Sequence, residues 1–223
     1  MKTYKEFCNE LSEAKFTDSG RQKIDAWQKN VLSKYPHAVF HGSNNDFGRF
    51  RSKPGSIFDD LGFHFAKDIN TTAFFAKGSG FKFILKRKSY IYAYNLDGLN
   101  IVHINTDITD WSANNLALRI SRDPDIANIF SDKAKLLLGV IDKTGKQKMA
   151  GDISQSHVEK NLHRAFKIDG IDAIRYPIEW EGEVMHSKDR NGYLILSHVI
   201  GKKKPIDKIV LNADEDVDPE DRE

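Results

Sequence analysis

Three short segments of this chain carry residue types that could bind a flat ligand ring. They are His41-Gly42-Ser43, then Gly62 to Ala66 with His64 at its centre, then Ala73-Phe74-Phe75-Ala76. In this order they predict a strand that ends in polar residues, a loop, a second strand and a helix that carries an aromatic side chain. Such an arrangement can hold a ring between exposed backbone and an aromatic face.

The elements that must position these residues predict an α+β protein. Apolar residues at helical spacing predict helices before residue 35, and Thr17-Asp18-Ser19-Gly20 supplies N-cap candidates. The remaining elements do not form a regular βαβ series, which favours mixed or antiparallel sheets with flanking helices. Strands are predicted at 38–42, 62–66, 81–85, 89–96, 99–104, 171–176, 192–197 and 206–211, and helices at 69–77, 110–121, 124–138 and 158–166.

Composition favours a soluble protein with one main domain. The chain has 223 residues, of which 39% are hydrophobic and 30% charged. No apolar run approaches the ~18 residues of a membrane span, and the N-terminus lacks the apolar core of a signal peptide. Cys8 is the only cysteine, which excludes an intramolecular disulfide and a cysteine-based zinc cluster. We expect a cytoplasmic protein, in the producing cell or in a target cell, with no metal and no membrane partner.

Charge is distributed unevenly, although the net charge is only +2. Residues 213–223 carry seven acids and one arginine and contain no aromatic side chain, which predicts disorder. This end would keep the protein soluble, or would compete with an anionic substrate for the basic remainder. We therefore expect an N-terminal helical extension at 1–36, the main domain at 37–212 and an acidic disordered tail at 213–223.

The three segments resemble the ADP-ribosyltransferase superfamily, on the side shared by poly(ADP-ribose) polymerases and diphtheria-type toxins. The variant found in phage and mobile-element polyvalent proteins is closer still in pattern. The resemblance continues in Gly170 to Tyr176 and in Tyr193 to Leu196, and it spans residues 37–211. It implies an ADP-ribosyltransferase-like fold with split mixed or antiparallel sheets. It also implies a reaction in which NAD+ loses nicotinamide and ADP-ribose passes to a macromolecule.

The resemblance assigns NAD+ contacts to His41, Gly42, Ser43, Arg49, Arg51, Gly62, Phe63, Phe65 and Phe75. His41 would bind the ribose hydroxyls, and the backbone of Gly42 would bind the carboxamide because glycine has no Cβ. Ser43 would bind the carboxamide or the adenosine ribose, and Phe75 would stack on the nicotinamide. Arg49 or Arg51 would pair with the pyrophosphate.

Two positions depart from the pattern of the polymerases. His64 stands where they and the toxins have a tyrosine, and Gly192 stands where the polymerases have a glutamate. The phage-type variant resembles Tyr-x-Asn-x-x-Glu-Gly after its Asp-Gly strand, and that register gives Glu181 as the carboxylate, ahead of Glu183. The predicted catalytic set is therefore His41, His64 and Glu181.

Basic clusters suggest what the acceptor could be. They lie at Lys82 to Lys88, at Lys202 to Lys204 and in the loop that holds Arg49 and Arg51. Lysine clusters can follow a nucleic-acid backbone, but no recognisable DNA- or RNA-binding motif accompanies them. RNA, DNA and protein therefore all stay open as acceptors, and the resemblance suggests a toxin or phage–host conflict in which an antitoxin or immunity protein is a further partner.

Two other functions compete with this hypothesis. His41 together with His64 also resembles the RNA 2′-phosphotransferases, which consume NAD+ as well. Gly192 and Phe75 favour a catalytically inactive module that binds NAD+, ADP-ribose or a partner without turnover.

Overall fold

The protein is a mixed α+β fold built around one sheet, as seen in a computed structural model. The structure describes residues 16–43, 45–50, 61–69, 72, 88–106, 108, 113–146, 148, 155–178 and 191–216. The strands are β1 (Ala38–Ser43), β2 (Gly62–Ala66), β3 (Lys88–Asn95), β4 (Ile101–His103), β5 (Ala173–Pro177), β6 (Asn191–Leu196) and β7 (Asp207–Asn212). The helices are α1 (Asp18–Lys34), α2 (Ala113–Arg122), α3 (Pro124–Ala127), α4 (Asp132–Leu138), α5 (Gln155–Ile168), α6 (Ser197–Ile200) and α7 (Ala213–Asp216). The prediction of an α+β protein with a mixed sheet is confirmed.

The seven strands lie in the order β4-β5-β6-β2-β1-β3-β7. The pair β4–β5 is parallel, and the other neighbours are antiparallel. The narrowest connection is between β1 and β2, which share the single ladder pair Phe40–Ala66. By contrast, β2 pairs with β6 over five positions and β1 with β3 over six. The strands thus form one sheet in which a single ladder pair joins β4-β5-β6-β2 to β1-β3-β7, and the ADP-ribosyltransferase-like arrangement of split sheets stays a prediction.

The longer helices cover one face of this sheet, and the other face carries an aromatic cluster to which the short helix α6 contributes. On the first face, α1 packs on β1, β3 and β7, while apolar side chains of α2, α4 and α5 pack on β5 and β6. On the second face, Val39, Phe65 and Tyr92 lie against Phe50, which is fully buried. The alternation of side chains along a strand explains this division, since Val39 and Phe40 must point to opposite faces.

Helix α1 is part of the packed domain. Its Ile24 and Val31 are buried with Phe40, and Trp27 contacts the Phe40 ring with centroids 5.6 Å apart. Thr17 caps the helix by accepting a hydrogen bond from the backbone N–H of Gly20. The predicted helix is therefore present in 18–34, and residues 1–15 of the predicted extension lie outside the described residues.

The prediction of disorder from residue 213 onward is wrong for residues 213–216, which form α7. Asp216 is 4% exposed, its carboxylate accepts from Lys23 Nζ at 2.7 Å and from Asn212 N at 2.8 Å, and its carbonyl accepts from Thr17 N. These contacts offset the cost of burying a carboxylate. Residues 217–223 of the predicted tail lie outside the described residues.

The helix predicted at 124–138 is two helices. Asp123 caps α3, and Ser131 caps α4 by accepting from Ala134 N. Asp169, just after α5, in turn accepts hydrogen bonds from the N–H and hydroxyl of Ser131. The interruption is therefore set by a contact between segments 38 residues apart in sequence.

Candidate functional site

The site begins where β1 and β2 separate. Beyond the Phe40–Ala66 pair, the side chain of His41 replaces a backbone ladder bond, since its Nδ1–H donates to the carbonyl oxygen of His64 at 2.7 Å. This bond also fixes the hydrogen of His41 on Nδ1 when the ring is neutral. The opening between the strands is therefore bridged by the first of the predicted site residues.

Aromatic rings surround His41 on the second face of the sheet. The ring centroids of Phe50 and Phe65 lie 5.4 Å from that of His41, Phe63 lies at 5.8 Å and Phe47 at 6.1 Å. Phe63 and Phe65 come from β2, whereas Phe47 and Phe50 come from the segment after β1. Imidazole packed among aromatic edges and faces is held in one orientation, which suits a side chain that must bind a ligand at a fixed angle.

A tyrosine on β3 anchors the segment that contains Phe47. The hydroxyl of Tyr92 accepts from Phe47 N at 2.8 Å and lies 3.1 Å from the carbonyl oxygen of Asn45, to which it can donate. The rings of Phe47 and Tyr92 also stack with centroids 4.2 Å apart. Burial raises the pKa of Tyr92 to about 12, so its hydroxyl keeps its hydrogen at physiological pH.

The second histidine points to the other face of β2. His64 lies between Phe63 and Phe65 in sequence, so alternation directs its ring away from theirs and from that of His41. On that face, His64 Nδ1 lies 2.7 Å from the hydroxyl oxygen of Tyr176 on β5, with the two rings nearly perpendicular. His41 and His64 thus meet at one point of β2, but their imidazole rings lie on different faces.

The Tyr176 ring reaches His64 because Gly192 leaves space for it. Tyr176 and Gly192 are directly opposite in the β5–β6 ladder, and Gly192 is in turn opposite Ala66 on β2. A Cβ on Gly192 would lie 2.7 Å from the Tyr176 hydroxyl oxygen and closer still to Cζ. The phenol therefore crosses β6 over a residue without a side chain, and a larger residue at 192 would block it.

Electrostatics keep His64 neutral. Burial lowers its pKa to about 4, and the nearby His41 lowers it further. At physiological pH the ring therefore carries one hydrogen and no charge. A neutral ring at this place does not repel a cationic ligand.

The other predicted site residues have more local roles. Gly42 is buried and pairs with Ile91, and Ser43 Oγ accepts from Asn45 N at 3.1 Å. Gly62 allows a close approach of β2 to β6, because a Cβ there would lie 2.8 Å from the carbonyl carbon of Ile195. Arg49 is exposed. The remaining predicted residues, Arg51, Phe75 and Glu181, lie outside the described residues.

Sequence reasoning missed Tyr176, Gly192 and Tyr92 as residues that shape the site. The sequence analysis names Tyr176 within the Gly170 to Tyr176 segment and Gly192 at the position of a missing glutamate, but it does not predict that the two residues contact each other. The signal that could have connected them is their position on neighbouring strands, a large side chain opposite a residue with none. Using it requires the β5–β6 register, which the sequence alone does not supply.

A basic surface lies at the other end of β6. His198, in α6, is 3.9 Å from the carboxylate of Asp172. Burial lowers the pKa of His198, Asp172 opposes this, and the charges of Lys167 and Lys202 lower the pKa further. Lys167, near the end of α5, and Lys202, in the exposed turn after α6, thus both act on His198, although these segments are far apart in sequence.

Within the residues that the structure describes, no group of three or more His, Cys, Asp or Glu side chains could hold a metal ion. Across the same stretches, no helix combines the length and apolarity needed to cross a bilayer. Comparison of the chain with protein-family models, curated proteins and solved structures finds no match.

Proposed function

We propose that this protein binds NAD+ at the opening between β1 and β2 and transfers ADP-ribose to a macromolecule. The observation that carries the proposal is the His41 bridge across that opening, next to Gly42 and among four aromatic rings. The resemblance of the His41, His64 and Phe75 segments to ADP-ribosyltransferases supports the same function. The setting would be a toxin or a phage–host conflict, in which an antitoxin or immunity protein could bind the chain.

The chemistry needs few protein groups. The bond between nicotinamide and ribose C1′ breaks, neutral nicotinamide leaves, and an acceptor oxygen or nitrogen forms the new bond to C1′ and gives up a proton. Because the transition state resembles an oxocarbenium ion, positioning of the two halves and stabilisation of positive charge dominate catalysis. His41 would bind the ribose, while the neutral His64 adds no positive charge near the developing cation.

The carboxylate of this reaction would come from Glu181, because Gly192 carries no side chain. The space over Gly192 is filled by the Tyr176 ring, so a carboxylate could reach the ribose only from another segment. Glu181 follows β5 by four residues and is the first glutamate to test, ahead of Glu183. Its loss should abolish transfer while NAD+ binding remains.

The basic surface favours nucleic acid as the acceptor. Lys167 and Lys202 both act on His198, and Lys203 and Lys204 continue the exposed turn, whereas Asp172 is the acidic neighbour of that histidine. A surface with several cations follows a phosphate backbone through counterion release and needs no sequence-specific motif. A protein acceptor would be recognised elsewhere, and transfer would then not depend on these lysines.

The experiment is incubation of the pure protein with labelled NAD+ and a cell lysate, followed by separation into protein, RNA and DNA. Nicotinamide release is followed in parallel, with His41→Ala and Glu181→Ala as test variants. His103→Ala is the matched control, because His103 is exposed on the edge strand β4. We expect label in the nucleic-acid fraction for the wild type and His103→Ala, and none for the two test variants. Transfer that persists in His41→Ala would contradict the proposal.

One observation favours a second function, that of a binding module without turnover. The Tyr176 ring closes the space over Gly192, and the buried Phe50 packs on His41. A module of this kind would bind NAD+ or ADP-ribose but release no nicotinamide. The same experiment separates the two functions, because binding with no release and no label would identify the module.

A further inference from the structure

A cleft lies where α2 meets α3, outside the proposed NAD+ site. Its volume is about 380 Å³, and it is lined by Asn115, Arg119 and Arg122 of α2 and by Asp123 and Pro124, where α3 begins. We propose that this cleft binds a phosphodiester group of a nucleic-acid strand through Arg119 and Arg122. That the strand is the acceptor of ADP-ribose rests on the proposed function above, but the binding itself does not.

Helical spacing brings the two arginines to one side of α2. Asn115, Arg119 and Arg122 follow each other at intervals of four and three residues, which places them on one stripe of the helix. Leu116 and Ile120, each one position further along the chain, are buried in the core. The stripe therefore lies beside the buried face of α2, where a side chain lines the cleft and still reaches solvent.

Neither arginine is neutralised by an acid of the protein. Within the described ranges of the chain, neither guanidinium forms an ion pair or a side-chain hydrogen bond. Arg119 is partly buried and Arg122 is exposed. Like charges at this spacing on a helix repel each other, so an anion held between the two side chains removes an unfavourable interaction.

The carboxylates of the turn are held by other donors. Asp123 accepts a hydrogen bond from Asp125 N at 3.0 Å and so caps α3. Asp125 accepts from Asn105 N at 2.8 Å and from Thr106 Oγ at 3.3 Å. The fold therefore directs both acids away from the arginines, and the N–H groups of the two guanidiniums stay available to a ligand.

Stabilisation of the helix end does not explain this arrangement. Basic side chains in the last turn of a helix offset the negative end of its dipole, and Arg119 and Arg122 lie in the last turn of α2. That effect accounts for two positive charges. It requires neither a cleft between them and α3 nor the engagement of Asp123 and Asp125 by other donors.

Charge and size select the ligand. A guanidinium presents paired N–H donors that match two oxygens of a phosphate. Two arginines and one aspartate leave a single positive charge in the lining, which one phosphodiester balances, whereas a phosphate monoester carries about two negative charges at neutral pH. The volume lies within the range of about 300–1,000 Å³ that holds small ligands, so the sugar beside the phosphate can contact Pro124.

The cleft and the basic surface at Lys202 lie at opposite ends of the strands. The bond from Asn105 N to Asp125 brings α3 to the carboxyl end of β4, which is parallel to β5. Since β6 is antiparallel to β5, the turn that follows β6 and α6 lies at the amino end of β5. Contributions of the two surfaces to binding are therefore separable by substitution.

The test is binding of a short, fluorescent single-stranded RNA to the full-length protein without NAD+, measured by anisotropy at several salt concentrations. We expect Arg119→Gln/Arg122→Gln to bind about tenfold more weakly. The slope of the logarithm of the binding constant against the logarithm of the salt concentration should fall by about 1.4, because each phosphate contact to a single strand contributes about 0.7. Arg21→Gln/Lys29→Gln is the matched control, since it also removes two exposed positive charges from a helix, and it should bind like the wild type.

Competition separates a strand from a free anion. We expect inorganic phosphate and adenosine monophosphate to displace the RNA only at far higher concentrations than unlabelled RNA. Equal losses in the test and control variants, or no loss in the test variant, would overturn the inference. Loss of adenosine monophosphate binding in a test variant that still binds RNA would assign the cleft to a free nucleotide and overturn it as well.

The inference and the proposed function fail in different ways. RNA binding through these arginines without nicotinamide release would support the cleft and contradict transfer of ADP-ribose. Transfer of label to protein alone, with RNA binding unaffected in both variants, would overturn the cleft and leave the transfer in place.

Discussion

Replacing Gly192 by alanine tests the packing that shapes the site. The new Cβ would lie 2.7 Å from the Tyr176 hydroxyl oxygen, and contacts under 3.0 Å require the neighbour to move. Displacement of a buried ring costs about 1–3 kcal/mol as overpacking, and loss of the bond to His64 adds about 1 kcal/mol. We therefore expect the free energy of unfolding to fall by about 2–4 kcal/mol in urea denaturation.

A double-mutant cycle identifies the cause. On a Tyr176→Ala background the ring is absent, so Gly192→Ala should cost less than on the wild-type background, with a coupling energy of about 1–3 kcal/mol. Gly48→Ala is the control, because a Cβ at Gly48 meets no atom within 4 Å. A cost of Gly192→Ala no greater than that of Gly48→Ala, or an equal cost on both backgrounds, would contradict the packing of Tyr176 over Gly192.

Three other predictions follow from the structure. Gly20→Ala should lower the free energy of unfolding by about 1–3 kcal/mol in urea denaturation. The reason is that a Cβ at Gly20 would lie 3.0 Å from Asp216 Cα and closer to its carbonyl oxygen. A loss below about 0.5 kcal/mol would contradict the contact between α1 and α7. The pKa of His64 is about 4 in the folded protein and about 6.5 in the unfolded chain, so the unfolded state binds more protons between these pH values. The free energy of unfolding should therefore fall by up to about 3 kcal/mol as pH drops from 7 to 4, and His64→Gln should remove this dependence. An unchanged pH dependence in His64→Gln would mean that other groups cause it. Replacing Lys202 to Lys204 by glutamine should reduce, by about 2, the slope of the logarithm of the binding constant for single-stranded RNA against the logarithm of the salt concentration. The same change at the exposed lysines of 143–148 should have little effect on this slope. Equal effects at the two places would argue against a defined RNA-binding surface.

Much of the fold could be predicted from local sequence patterns. The strand at 62–66 was predicted with its observed bounds, and β1 and β5 to β7 to within two residues at each end, because alternating or continuous apolar runs are bounded by polar or glycine residues. The helix at 155–168 was found for the same reason, although its ends were not. Such patterns report what each segment buries.

Features that depend on distant contacts could not be predicted. The sequence predicts that Asp216 belongs to a solvated acidic tail. Asp216 is instead buried, because it contacts Thr17 and Lys23 at the start of α1. The break before Ser131 depends likewise on Asp169. Neither partner is visible in the local sequence.

The sequence pattern predicts where the candidate residues lie along the strands, but not their three-dimensional arrangement. His41 and Gly42 lie at the opening of the sheet, and the pattern placed them at the end of a strand. The pattern did not show that the rings of His41 and His64 lie on different faces, nor that Tyr176 binds His64. Both depend on which strands are neighbours and in what register they pair, since a shift by one residue reverses the face of every side chain.

Titration of NAD+ into the isotopically labelled protein, followed by NMR of its backbone amides, tests the proposed NAD+ site. We expect shifts concentrated at Gly42, Ser43 and His64, at the opening between β1 and β2, and their loss in His41→Ala but not in His103→Ala. Shifts confined to another surface, or no shifts at millimolar NAD+ in a folded protein, would contradict NAD+ binding at this opening.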